Sequence, residues 1–324
     1  MKLFRAVAVL TLPAALLGAC GSQSHAERMA ATARSVAGGV AAPSAGASST
    51  AARPPAAARR RVSRAPVVRA PGQVGSNWTP VATVAGHVAA WTARAQGVTF
   101  LRFDQQLLVL HLHSGSAYPG GGPWTYGDRI EPSELHRIVA AFNGGFKFNV
   151  PGNGFFADGR APVPLRSGLA SIVTYRSGVT AIGAWDEGVP AAGQRIQSVR
   201  QNLHLLVDRG TVAATATGCP LTCWGSTLGG GVSVPRSALA ITANGNLLWG
   251  AGETLTPAAL GHALVAAGAV RAVELDINPA WVAAYLYVHQ SSGPNAVPVI
   301  PGQNGIAGRL LAPYSRDFFT IVSK

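Results

Sequence analysis

The sequence predicts a β-rich α+β fold: a single domain of mixed sheet and hairpins with a few helices, preceded by an export leader. Three observations carry this. From Trp78 onward, short alternating segments are separated by turn dipeptides. Only two stretches carry helix start and stop signals. No internal repeat of fixed period is present, which excludes solenoids and propellers.

In chain order, Lys2 and Arg5 form a positive n-region and Ala6 to Leu16 a short apolar run, so residues 1–20 read as a signal peptide. The run is shorter than the roughly 20 residues of a transmembrane helix. Leu17-Gly18-Ala19-Cys20 has the form of a bacterial lipobox, with Cys20 as the lipidated residue and a membrane lipid anchor as its consequence; a plain secretory signal is the alternative. Residues 21–75, dominated by Ala, Ser, Gly, Pro and Arg, are expected to be a disordered linker, because they bury too little apolar surface to offset ordering entropy. The folded domain is then expected over 76–324.

Among the strands, Leu107–His113 is followed by three predicted hairpins. The first is Leu169–Arg176 with Val179–Trp185 across Ser177-Gly178, the second Gln201–Asp208 with Thr211–Thr217 across Arg209-Gly210. The third is Ser237–Thr242 with Leu247–Gly250 across Asn244-Gly245. A short helix is expected from Pro132 through Glu134 to about Arg137. A clearer one has Thr256 as N-cap, Pro257 in the first turn, Gly268 as its stop and Leu260, Ala263, Leu264 and Ala267 as its buried stripe. A strand from Val270 to Ile277 follows.

The net charge of +13 comes from 26 Lys/Arg against 13 Asp/Glu, but residues 1–72 hold ten of those cations and one acid. The folded part is thus only mildly basic, which argues against a nucleic-acid partner. Cys219 and Cys223, separated by Pro-Leu-Thr, are expected to form a small disulfide loop in an oxidising compartment. His111 and His113 share a strand face without a third ligand at suitable spacing, so no metal or other cofactor is expected.

The strand 270–277 is the most informative segment. Alternation places Val273, Leu275 and Ile277 on one face and Glu274, Asp276 and Asn278 on the other. Residues two apart stand about 6.6 Å apart, a spacing that suits an acid and a base with different proton affinities. In Asn143-Gly144-Gly145-Phe146, glycines permit close backbone approach to a ligand and Asn143 can both donate and accept hydrogen bonds. Arg166, Arg200 and Arg236 are each able to clamp an anion through a bidentate fork. There is no lipase-type Gly-x-Ser-x-Gly, no phosphate-binding loop and no dinucleotide fingerprint.

Taken in order, these segments resemble the phosphodiester glycosidase family, that of the N-acetylglucosamine-1-phosphodiester alpha-N-acetylglucosaminidase (uncovering-enzyme) domain, in its bacterial exported branch. The resemblance rests on Asn143-Gly144-Gly145-Phe146, Arg200-Gln201-Asn202-Leu203 with Leu206 to Gly210, Pro235-Arg236-Ser237-Ala238, and Leu255 to Gly268 leading to Glu274-Leu275-Asp276. After Asp276 the chain reads Ile277-Asn278-Pro279-Ala280 where the family has Gly-Gly-Gly-Ser. Arg316-Asp317-Phe318-Phe319 looks like a subfamily feature with no role attached. The resemblance implies an exported hydrolase acting on a sugar-phosphodiester linkage of a cell-envelope glycopolymer or glycoconjugate. Arg166 and Arg236 would hold the phosphate, and Asn143, Gly144, Gly145, Asn202 and Asn278 would line the carbohydrate substrate's place. Asp276 would be the catalytic carboxylate with Glu274 as its partner. The alternative is a non-catalytic envelope lipoprotein that binds wall glycopolymer through the same groove.

Overall fold

The computed structural model describes residues 77–227, 229–303 and 308–324. The expected signal peptide, the Cys20 lipidation site and the linker 21–75 lie outside them. Among the described residues are eighteen strands and two α-helices. The first half holds β1 (Thr79–Val84), β2 (His87–Ala95), β3 (Val98–Phe103), β4 (Leu108–His113), β5 (Ile138–Asn143), β6 (Asn153–Ala157), β7 (Arg160–Val163), β8 (Ala170–Tyr175) and β9 (Thr180–Ala184). The second holds β10 (Ile196–Asn202), β11 (Leu205–Asp208), β12 (Thr211–Val212), α1 (Thr215–Gly218), β13 (Val234–Thr242), β14 (Leu247–Leu255), α2 (Pro257–Ala266), β15 (Ala269–Glu274), β16 (Ala284–Gln290), β17 (Gly293–Pro298) and β18 (Phe318–Ser323).

They form three sheets, ordered β1-β2-β3-β14-β13-β15-β11-β12, β7-β6-β10-β8-β9 and β17-β16-β5-β18-β4. Every strand pair is antiparallel, so the expected mixed sheet is corrected; parallel pairing is confined to the isolated bridges Gly115–Pro119 and Trp185–Val189. Among the described residues, seven of the fifteen strand pairs are consecutive hairpins, and a tight hairpin turn admits only antiparallel pairing.

The main core is shared by all three sheets. Phe103, Trp249, Leu239, Val273 and Leu275 come from or continue the eight-stranded sheet; Phe142, Phe319 and Ile321, and Phe155 and Ile172, come from the other two. A second core lies under α2, where Leu260, Ala263 and Leu264 meet Phe100, Leu206 and Leu248. Thr256 caps α2 by accepting a hydrogen bond from Ala259 N at 3.1 Å, and Gly268 follows with φ +98°, as its start and stop signals predict.

Two of the three expected hairpins form as read. β8 and β9 turn at Gly178 (φ +84°), and β13 and β14 at Gly245 (φ +84°). The middle one is shorter than expected. Gln201 belongs to β10 in another sheet, Leu203 breaks the strand at φ +55°, and only β11 and β12 pair around Arg209-Gly210. The expected helix from Pro132 is a run of turns, Glu134 N to Glu131 O and Arg137 N to Glu134 O, both 2.8 Å. The Glu134 side chain is taken up by partners in the sheet, which fixes the segment before a helix can propagate.

Candidate active site

β15 runs out of regular pairing after Glu274, but its continuation stays tied to β13. Leu275 N donates to Ser237 O (2.8 Å) and Ser237 N to Asp276 O (3.0 Å). Asp276 thereby leaves the sheet at the floor of a cleft of about 840 Å³. Phe146 and Lys147 from the segment after β5 line it, with Asn278, Trp281 and Arg316; residues around 221–227 form another wall. That wall begins at the Cys219–Cys223 disulfide, whose Cα atoms lie 5.4 Å apart. Gly225, at φ +78°, passes so close to Phe146 and Ile277 that a Cβ would meet the Phe146 ring at 2.7 Å.

Asp276 is 4 % exposed. Oδ1 accepts hydrogen bonds from Ile277 N (2.8 Å) and Asn278 N (2.9 Å), and Oδ2 accepts one from Arg316 Nη2 (2.9 Å). Burial pushes its pKa up; the Arg316 charge and the two backbone donors pull against that without cancelling it. Arg316 Nη2 also donates to Gly145 O (2.7 Å), and its buried Nε has no hydrogen-bond partner. Trp281 stands over the Arg316 guanidinium at 5.1 Å. A carboxylate, a guanidinium and an aromatic face therefore meet at one end of an open space, beside the exposed ammonium of Lys147.

Beneath this floor lie two further ion pairs, both with fully buried side chains. Arg236 Nη1 donates to Glu274 Oε1 at 2.7 Å. The rest of its fork is used by Leu255 O, Trp224 O and Val232 O. Burial pushes Glu274 up to about 7, against the pull of Arg236 and with a further push from Asp276, and its Oε2 has no hydrogen-bond partner. Arg200 Nε donates to Asp317 Oδ2 at 2.7 Å, and its other donors reach Asn153 Oδ1, Phe146 O and Gln201 O.

The residues singled out from the sequence separate into two groups. Asp276 and Asn278 line the cleft. Glu274 and Arg236 do not, because each completes the other inside the protein; Arg236 is fully buried and commits four of its five N–H donors to protein acceptors. Arg166 is exposed on the segment beside β10, exchanging backbone hydrogen bonds with the Gln201 amide. Asn202 spends its amide on Glu274 O (2.7 Å), Leu275 O (2.9 Å) and Phe146 N (3.0 Å), tying the loop after β5 to the end of β15. Asn143 likewise bonds Gly144 O, Ser237 Oγ and Ala283 N. Through Ser237, whose hydroxyl donates to Asp276 O at 3.1 Å, it steadies the Asp276 backbone without facing the cleft. Gly144 and Gly145 admit internal partners and no ligand. A Cβ on the first would collide with the Asp317 carboxylate, and on the second would meet Arg200 Nη2 at 2.8 Å.

Arg316, Lys147 and Trp281 are the cleft residues the sequence left without a role. Lys147 directly follows the Gly-Gly-Phe turn and Trp281 stands five residues after Asp276, so proximity to the motifs was the available signal. Arg316 stood out only within the Arg316-Asp317-Phe318-Phe319 feature, with no role, because its approach to Asp276 depends on β18 lying beside β5.

His111 and His113 find their third partner in Glu134, at 2.8 Å and 3.0 Å. Thr320 Oγ1 also donates to this carboxylate, the Tyr126 hydroxyl lies 3.2 Å from His111 Nε2, and Gly127 O lies 3.1 Å from His113 Nδ1. Burial raises the Glu134 pKa, but the hydrogen bonds from both histidines and from Thr320 outweigh it and hold the carboxyl well below its usual range. All four imidazole nitrogens are engaged within the protein. No group of three or more His, Cys, Asp or Glu among the described residues is arranged to hold a metal ion.

No protein-family model and no curated protein matches this sequence. Among solved structures, the chain is similar to the catalytic domain of zebrafish N-acetylglucosamine-1-phosphodiester alpha-N-acetylglucosaminidase, auto-inhibited by its pro-peptide. The TM-score is 0.43 at 14% identity, over 78% of this chain and 86% of that one. A hypothetical protein from Synechocystis gives 0.39 at 15% identity, over 76% of this chain and 64% of that one. A protein described as exported from Burkholderia pseudomallei gives 0.31 at 12%, over 74% and 75%. At these values the likeness is a distant one of fold.

Proposed function

We propose that the chain is an extracytoplasmic hydrolase that cleaves a glycosyl phosphodiester, with Asp276 as its carboxylate and Arg316 as its phosphate-binding cation. The observation that carries this reading is the Asp276–Arg316 pair at the floor of the cleft. Burial raises the proton affinity of Asp276, the direction that strengthens it as a base toward water. Water adds to the anomeric carbon, the bond from that carbon to the phosphate oxygen breaks, and a free sugar and a phosphate monoester result. Arg316 and Lys147 offset the charge on the departing phosphate, a role the family resemblance assigned to Arg166 and Arg236. Trp281 offers a face on which a sugar ring can stack. The disulfide fits an exported protein.

A specific observation favours the second reading, a non-catalytic glycan-binding protein. Among the described residues, Asp276 is the single carboxylate lining the cleft, whereas most glycosidases use two. The leaving group answers this. A phosphate monoester departs as an anion and needs no proton from a second acid, which a sugar alkoxide does.

The test is release of free sugar and phosphate monoester from a panel of hexose and N-acetylhexosamine 1-phosphodiesters. Wild type should turn over at least one member, and Asp276→Asn should lose that turnover with its circular dichroism unchanged. No release from any member by well-folded wild type would leave the binding reading in its place.

A further inference from the structure

We infer that the cleft continues into a surface track for a chain of sugar–phosphate repeats, so that the ligand is a phosphodiester-linked saccharide polymer held over several units. The inference rests on the proposed function for its first subsite and on a separate set of residues for the remainder. Three rings and three cations run in unbroken contact along one side of the cleft. Lys147 lies over Tyr118 at 5.7 Å, Arg316 over Tyr118 at 5.6 Å and over Trp281 at 5.1 Å. Trp281 meets Tyr314 at 6.5 Å between ring centres, and Arg309 lies over Tyr314 at 5.6 Å. Trp281 lines the main cleft, and its contact with Tyr314 carries the row beyond the cleft lining, over a void of about 10 Å³ that is too small for a sugar.

The chemistry of such a row selects its ligand. Aromatic faces attract the C–H face of a pyranose and exclude water from it, while guanidinium and ammonium groups take phosphate oxygens. Along this row the cations stand between and beside the rings. The complementary chain carries its anions between its sugar rings, in the backbone, as a phosphodiester-linked polymer does; a sulfated polysaccharide carries them as pendants. Arg316 is buried at the cleft floor, while the rings and Arg309 are half-buried and Lys147 is exposed, so the outer members of the row are open to a ligand and already ordered by stacking.

Binding of fluorescein-labelled probes to the full chain tests this. The probes are an oligomer of hexosyl 1-phosphate repeats, a single methyl hexosyl 1-phosphodiester and heparin, a pendant-anion saccharide. Tyr314→Leu and Arg309→Gln alter the far end of the track and leave Asp276, Arg316 and Trp281 in place. Each should weaken the oligomer by roughly tenfold and leave the single unit within about twofold, since only the oligomer reaches that far; heparin should change less than the oligomer. Unchanged oligomer affinity in both variants overturns the track. So does equal weakening of the single unit, which would make these residues part of the cleft, or equal weakening of heparin, which would reduce the effect to bulk charge. Thermal unfolding of each variant excludes loss of fold, and Arg309→Gln stands in if Tyr314→Leu is unstable. Catalysis is read separately, by turnover of the single diester. Track-dependent oligomer binding without turnover removes the catalytic reading and keeps the track.

Discussion

Arg236→Ala should destabilise the protein strongly, and more at pH 8 than at pH 5. The variant removes the partner of Glu274, whose carboxylate is fully buried and whose Oε2 has no other hydrogen bond. It also strands three carbonyls, Leu255 O, Trp224 O and Val232 O. Breaking one side of a buried pair costs about 3–5 kcal/mol when the remaining charge stays charged. Glu274 has an escape, because burial already lifts its pKa to about 7. At pH 5 it takes up a proton, and what remains is the cost of under-satisfied carbonyls and lost packing, about 1–3 kcal/mol. At pH 8 the full 3–5 kcal/mol applies, or proton uptake replaces part of it. Urea denaturation followed by tryptophan fluorescence at both pH values measures the difference. In the Arg236→Ala, Glu274→Gln double variant the pH dependence should disappear. An equal loss at pH 5 and pH 8, or a loss under about 1 kcal/mol at pH 8, would refute the buried-pair reasoning and reopen the role of Arg236 as a substrate clamp.

Further outcomes follow from other parts of the structure. In wild type, the Glu274 pKa in the folded state lies above its ordinary value of 4.5, so its contribution to stability should fall as pH rises from about 4.5 to about 7; Glu274→Gln should flatten that limb of a stability–pH profile. Glu134 has the opposite sign. Its folded-state pKa is depressed, so the stability it contributes is present above its ordinary value and is lost as pH falls below it, and Glu134→Gln should remove this acid-sensitive limb in urea titrations at pH 3 to 6. Replacing Cys219 and Cys223 together by Ser should cost about 2 kcal/mol, the chain entropy of so small a loop; two free thiols by mass spectrometry of exported protein would contradict the bond. Cys20→Ala should release the protein from membranes, and a variant that still fractionates with them as wild type does would rule out the lipid anchor.

What could be read from the sequence was whatever local chemistry determines. Asn244-Gly245 and Ser177-Gly178 encode turns within a few residues, and Thr256-Pro257 encodes a helix start, so those elements formed as expected. Asp276 was legible as a cleft-lining residue from its place after α2, although the strand whose alternation pointed to it ends at Glu274, which turns inward to Arg236. The pairings of the arginines were not visible, since a guanidinium on β13 or β10 has the same sequence signature whether it faces solvent, substrate or a buried carboxylate. Arg236 and Arg200 each became the inner half of an ion pair whose other half lies 38 or 117 residues away. The Gly144-Gly145 pair misled for a related reason. Glycine signals close approach, but here what approaches is the protein's own Asp317 and Arg200.

The placement of β18 has a consequence for how the chain is made. It is the last described strand, yet it lies between β5 and β4 in its sheet, and the two residues just before it, Arg316 and Asp317, complete the cleft and the inner ion pair with Arg200. A nascent chain halted ahead of residue 316 therefore has a sheet with a gap in its middle, an Arg200 without its carboxylate and an Asp276 without its cation. Its strand edges stay open, and its contacts of longest sequence separation are still unmade. Cleft, sheet and inner ion pair therefore share one dependence, and a proteolytic clip just before Arg316 should undo them together.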